Sequence, residues 1–172
     1  MLLSKKDCEY ILSFWDESKS NGSTKYLKQK VNNDTTITFR TKVSGNYIDF
    51  IDNTELVSFL LSKLKIIDVK SISSSIKLAR YQEGDYFEPH HDFNYYDTGA
   101  LYKTLVIQLS DENSYEGGDL YVKDIPQTRK QGDYSLFLSS DIHEVKLLKK
   151  GTRFSLTLFL LESDFINTKT II

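Results

Sequence analysis

The chain has 172 residues, 40% of them hydrophobic and 27% charged, the make-up of one globular domain able to bury a respectable core. A net charge of −2 gives no bulk attraction to nucleic acid or to anionic membranes, and no apolar run approaches the ~20 residues of a membrane span. The single Cys8 cannot close an intrachain disulfide, so the fold does not depend on oxidising conditions.

The chain opens Met1-Leu2-Leu3-Ser4-Lys5-Lys6-Asp7 and turns charged at once, so no secretory leader is expected there and a reducing cytoplasm is the default location. Ser4 to Glu17 predicts a helix, with Ser4 as N-cap and Asp7 favouring the positive end of the dipole. Cys8, Ile11, Leu12 and Trp15 form its apolar face. Lys19 to Thr24 reads as a loop. Thr35–Phe39 and Tyr47–Phe50 have β character, with a turn signal at Val43-Ser44-Gly45-Asn46. Asn53-Thr54-Glu55 caps a second helix, about Thr54 to Lys65, whose stripe is Leu56, Phe59, Leu60 and Leu64.

From Ser71 onward the chain is nearly all strand and turn. Ser75–Gln82, Leu101–Leu109, Asp119–Val122, Tyr134–Leu138, His143–Leu148 and Arg153–Leu161 read as strands. Turns are expected at Gly117-Gly118, at Gly132-Asp133 and at Lys149-Lys150-Gly151-Thr152, the last as a hairpin. Many short strands with regular turn signals predict a mainly β (α+β) fold, a jelly roll or double-stranded β-helix, with the N-terminal helices packed on its outside. The expected division of this single 1–172 domain is helical support over 1–70, a jelly-roll core over 71–161 and a polar tail over 162–172.

The chemistry gathers around Tyr81-Gln82-Glu83-Gly84-Asp85-Tyr86-Phe87-Glu88-Pro89-His90-His91-Asp92. On an extended chain His90 and Asp92 share a face and His91 points away. An imidazole and a carboxylate on one face are two thirds of a 2-His-1-carboxylate triad, which holds non-haem Fe(II) and leaves positions open. The chain has three histidines, and only His143 remains to complete the set. With fifteen aspartates present, chance supplies a His-x-Asp in roughly one such sequence in four, so the tripeptide alone is weak. Downstream, Arg153, Ser155 and Thr157 share one face of a strand whose other face is Phe154, Leu156, Leu158 and Leu160. A buried Arg needs an anionic partner. That partner is either an Asp or Glu of the chain or a ligand carboxylate, which the guanidinium fork suits.

The order Tyr81-x-x-Gly84-x-x-Phe87-x-x-His90-x-Asp92, then Tyr115-Glu116-Gly117-Gly118-Asp119-Leu120, then Gly132-Asp133, His143 and Arg153 resembles the Fe(II)/2-oxoglutarate-dependent oxygenases, nearest their prolyl 4-hydroxylase-like branch. The likeness spans about Leu78 to Leu161. It implies that His90, Asp92 and His143 bind Fe(II). It further implies that Arg153 and Ser155 meet the distal carboxylate of 2-oxoglutarate and that Tyr81 faces this co-substrate. Gln108 lies near where some relatives place another co-substrate contact. Phe87 stands where many prolyl hydroxylases have Tyr, which weakens the assignment of substrate rather than of metal. Related halogenases lack the carboxylate; Asp92 is present, so hydroxylation is the implied outcome. O2 is then a second co-substrate, succinate and CO2 are products, and ascorbate is an accessory reductant.

Tyr95, Tyr96 and Lys103 border the metal strand as candidates for lining a substrate entrance, and for Tyr95 and Tyr96 the alternative is an exposed aromatic loop. A prolyl residue of a peptide or protein is the first-choice substrate, and a free amino acid or other small molecule the enzymatic rival. The rival of another class is a non-catalytic, metal-containing jelly-roll binding protein. Neither nucleic acid nor membrane is an expected partner, and the sequence does not give the oligomeric state.

Overall fold

In the computed structural model, the described residues are 2–20, 25–27, 41–49, 53–64, 76–92 and 101–161. The strand expected over Thr35–Phe39, the pair Tyr95 and Tyr96, and the tail from Glu162 lie outside them.

Helix α1 (Lys5–Leu12) begins where the sequence places it, on a reciprocal capping box. The Asp7 N–H donates to Ser4 Oγ (3.2 Å), and the Ser4 N–H donates to Asp7 Oδ2 (2.8 Å). The helix ends earlier than expected, because Asp16 caps a separate 3-10 turn, Glu17–Lys19, by accepting from the Ser18 N–H. That turn is tied to the sheet: both Arg80 terminal nitrogens donate to Glu17, beneath the Trp15 ring. Helix α2 (Thr54–Leu64) starts with Asn53 Oδ1 accepting from the Leu56 N–H.

The strands are β1 (Lys25–Leu27), β2 (Thr41–Ser44), β3 (Asn46–Asp49), β4 (Ile76–Gln82), β5 (Tyr86–His90), β6 (Leu101–Gln108), β7 (Tyr115–Gly117), β8 (Leu120–Val122), β9 (Ile125–Pro126), β10 (Tyr134–Leu138), β11 (His143–Val145) and β12 (Leu148–Leu161). Among the described residues they form two sheets of antiparallel pairs. One has the order β10-β6-β12-β4-β3, with β7 also on β12; the other is β1-β2-β5-β11-β8-β9. From β4 onward the chain passes back and forth between the sheets, which is the double-stranded β-helix. The segment before residue 70 adds strands as well as helices, since β2 extends one sheet and β3 the other.

The long strand β12 corrects one expectation. Lys149-Lys150-Gly151-Thr152 is no hairpin turn, because the strand runs through it from Leu148 to Leu161. Its first part pairs with β7 and the rest with β4 and β6. Gly151 sits at φ +82°, and a Cβ there would lie 2.5 Å from the Ser114 carbonyl oxygen. Glycine at positive φ here accompanies an irregularity inside a strand, where the sequence suggested chain reversal.

Two cores result. Leu78, Leu105, Ile107, Leu156, Leu158 and Leu160 meet Leu3, Cys8, Ile11, Leu56, Val57 and Leu60 in a layer between the first sheet and the helices. Truncating a fully buried leucine such as Leu156 to Ala would cost about 2–5 kcal/mol. The second core, between the sheets, joins Tyr81, Val106, Tyr115 and Phe137 to Leu120, Val122, Val145 and Leu148. The apolar face of β12 therefore serves the helices. Its polar face, with Arg153 and Ser155 buried, looks into the space between the sheets.

Candidate metal centre and carboxylate socket

His143 in β11 lies directly opposite His90 at the end of β5. Asp92 follows two residues later and returns to the same side, while His91 faces out and is exposed. One ligand atom each from His90, Asp92 and His143 fall within 4.8 Å of one another. His143 Nε2 is 3.2 Å from Asp92 Oδ2, and His90 Nε2 is 3.7 Å from Asp92 Oδ1.

Both imidazoles are fixed from behind. Nδ1 of His90 lies 2.7 Å from the Glu88 carbonyl oxygen, and Nδ1 of His143 lies 2.9 Å from that of Asp141. A carbonyl only accepts, so each Nδ1 carries a proton and each Nε2 is the nitrogen turned toward Asp92, able to bind a metal once it holds no proton. Phe87 stacks on His90 at 3.5 Å between ring centroids, and Phe137 packs against His143 at 4.7 Å. Phe87 thus backs the His90 imidazole with an apolar ring.

The electrostatics suit a cation. Burial, helped by the nearby His143, pushes His90 down to about 4, so it stays neutral at ordinary pH. Burial alone would raise Asp92, but its hydrogen bond with His143 and that residue's charge outweigh it and hold the carboxyl below its ordinary value. For His143, burial is likewise overcome by the Asp92 hydrogen bond and charge, and the ring is raised. The donor set is two neutral-capable imidazoles and one carboxylate with no fourth ligand among the described residues, which fits an open octahedral Fe(II) site. It fits a closed structural zinc site poorly.

Across the same interior, Arg153 is 1% exposed. One terminal nitrogen donates to Gln108 Oε1 at 2.9 Å, while the other, Nη1, is buried with no hydrogen-bond partner. Among the described residues no carboxylate pairs with it. Ser155 and Gln108 are register partners on adjacent strands, and Tyr81 is the partner of Arg153 on the other side. The guanidinium carbon lies 5.5 Å from the Tyr81 ring centroid. Burial pushes the Tyr81 hydroxyl up to about 12, so it is a neutral donor.

The Gly117-Gly118-Asp119 motif gains a physical meaning. A Cβ on Gly118 would sit 2.7 Å from Leu148 Cδ1 and 3.4 Å from Arg153 Cδ, so glycine lets this backbone lie against the arginine stem. Arg129 holds the loop by donating to Tyr115 O, Gly117 O and Asp119 Oδ1. The sequence singled out neither Arg129 nor two buried hydroxyls beside Asp92, those of Thr104 and Ser139. Lys103, a candidate rim residue, alternates onto the face of Leu105 and Ile107, away from the metal set.

A family model described as the 2OG-Fe(II) oxygenase superfamily matches residues 76–161. A PKHD-type hydroxylase from Prochlorococcus marinus is 29% identical over 148 residues, covering 82% of this chain and 63% of that protein. The chain thus spans less than two thirds of that relative's length. Among solved structures, the viral collagen prolyl hydroxylase of Paramecium Bursaria Chlorella virus-1 superposes with a TM-score of 0.53 at 16% identity, over 92% of this chain and 91% of that one. A Pseudomonas putida prolyl-4-hydroxylase gives 0.53 at 16% identity, over 92% and 84%. At such identities the structural likeness speaks for the fold.

Proposed function

The chain belongs to the 2OG-Fe(II) oxygenase superfamily, and on that premise we propose that it hydroxylates a C–H bond of a prolyl residue in a peptide or protein. The reaction consumes 2-oxoglutarate and O2 and releases succinate and CO2. The observation that carries this reading is the pairing, in one buried interior, of the His90, Asp92 and His143 cluster with a guanidinium that lacks a partner for Nη1.

His90, Asp92 and His143 hold Fe(II), each imidazole through Nε2. Arg153 binds the distal carboxylate of 2-oxoglutarate through Nη1, supported by Ser155, with Gln108 fixing the plane of the guanidinium. Tyr81 closes the side of that socket. When bound, the Fe(II) supplies oxygen activation coupled to decarboxylation of the co-substrate. The protein supplies aim and dryness: Phe87, Phe137, Val145 and Leu148 exclude water from the space between the sheets.

The prolyl target is supported by the branch whose motif order the sequence follows and by relatives that are themselves hydroxylases. Ascorbate serves as reductant, and a reducing cytoplasm suits both Fe(II) and the buried thiol of Cys8. Among the described residues no helix is long and apolar enough to cross a membrane. The 1–172 chain is read as one oxygenase domain.

The test is to incubate the protein with Fe(II), 2-oxoglutarate and ascorbate, offering proline-containing peptides and, separately, free amino acids. One oxygen gained by a peptide with matching succinate, abolished in Asp92→Ala and in His143→Ala, is expected. Oxygen gained only by free amino acids would move the substrate to the small-molecule class. Full activity in either variant would remove that residue from the ligand set.

A further inference from the structure

We infer that Ser139 and Thr104 form a directed hydroxyl relay that sets the rotation of the Asp92 carboxylate, making Thr104 a positioning residue of the metal centre. This rests on the reading of His90, Asp92 and His143 as the metal-binding set.

Asp92 lies past the end of β5, where ladder hydrogen bonds no longer fix it. A carboxylate turns about a broad, two-fold χ2 torsion, so something must decide which oxygen faces which imidazole. Thr104 Oγ1 lies 2.7 Å from Asp92 Oδ2. An ionised carboxylate only accepts, so the single Thr104 proton goes to Asp92. Ser139 Oγ, 3.1 Å from Thr104 Oγ1, must then be the donor of that second bond. The chain of protons runs one way, from Ser139 through Thr104 to Asp92. Ser139 also takes the Asp92 N–H on its carbonyl oxygen at 3.0 Å, so one residue steadies both backbone and carboxylate.

Thr104 belongs to the helix-backed sheet and Asp92 follows a strand of the other, so the relay ties the two sheets together at the metal set. Thr104 and Ser139 are both fully buried, and water cannot replace a lost partner. Packing alone does not call for these hydroxyls. Thr104 shares its face with Val106, and a valine at 104 would fill nearly the same volume in a strand.

The test titrates the metal-free 172-residue chain with Co(II), followed by visible absorption, in the parent and in Thr104→Val, Thr104→Ser, Ser139→Ala and the Val/Ala double variant. Thr104→Val should weaken Co(II) binding about 10- to 100-fold, the range for groups that hydrogen-bond metal ligands, and should lower stability by about 1–3 kcal/mol, or roughly 2–12 °C in melting temperature, because Ser139 and Asp92 lose a buried partner. Thr104→Ser, which loses the methyl and keeps the hydroxyl, should restore binding to within about threefold of the parent on the same argument. Ser139→Ala should weaken it less than Thr104→Val, and the double variant should be no worse than Thr104→Val, because Ser139 acts through Thr104.

Parent-like binding in Thr104→Val, or equal losses in Thr104→Val and Thr104→Ser, would overturn the relay and leave the ligand set standing. A parent that binds no Co(II) would overturn the ligand set and the relay with it. Should Thr104→Val fail to fold, Ser139→Ala decides, and parent-like affinity there would overturn the relay.

Discussion

Arg153→Met separates a residue kept for a ligand from one kept for stability. If Arg153 were already satisfied by a carboxylate of the chain, removing it would strand that carboxylate at about 3–5 kcal/mol. At ~2–4 °C per kcal/mol for a chain of this size, the melting temperature would fall by roughly 6–20 °C. The structure gives a different balance. The variant loses the hydrogen bond to Gln108 Oε1, worth about 1.5–3 kcal/mol to a charged donor. It also removes a buried donor without a partner, which relieves about 1–3 kcal/mol. Met keeps most of the buried stem. The two contributions largely offset, leaving at most about 2 kcal/mol, so the ligand-free variant should melt within about 8 °C of the parent. The co-substrate then reveals the difference. With Mn(II) present and 2-oxoglutarate at a hundred times its Kd, the parent should gain about 2.7 kcal/mol, or roughly 5–11 °C. The variant should gain nothing from 2-oxoglutarate and keep its response to Mn(II). Scanning calorimetry under these conditions is the assay. A loss of 10 °C or more without ligand, or an undiminished 2-oxoglutarate shift in the variant, would refute the socket.

Two further outcomes test the scaffold. Hydrogen bonds from Ser4, and then Lys63, lower Asp7 to about 2 from 3.8, so its contribution is full above the unfolded value and is lost as pH falls through the folded one. Asp7→Asn should therefore be less stable than the parent at pH 7, with the gap closing between about pH 4 and 2 in thermal melts; a constant gap would contradict the capping box. Gly151→Ala places a Cβ 2.5 Å from a backbone oxygen at φ +82°. It should cost about 1–3 kcal/mol and lower the melting temperature by roughly 2–12 °C. An unchanged melt would mean that the strand runs differently there.

What could be read from the chain alone follows from which forces are local. Alternation on an extended segment put His90 and Asp92 together and turned His91 out, and Ser4 with Asp7 announced the first helix. The fold class followed from short strands punctuated by glycine. The same punctuation misled at Gly151, because a residue at positive φ serves a turn and a strand irregularity equally well, and only the partner strand decides. Gln108 and Ser155 become neighbours through the register of β6 against β12, which no local pattern encodes. Thr104 reads as an ordinary strand former, and its role depends on Asp92 arriving from the other sheet. Phe87 looked like a missing hydroxyl and proved to be a platform for His90.

The central claim is that one interior holds both a metal set and a carboxylate socket. An anaerobic titration tests it most directly, adding Fe(II) and then 2-oxoglutarate to the metal-free protein while recording the visible spectrum. The account predicts a weak charge-transfer absorption that needs both additions, is absent in His143→Ala, and is lost in Arg153→Leu at the same 2-oxoglutarate concentration. A folded protein with iron in excess that shows no such band would contradict it.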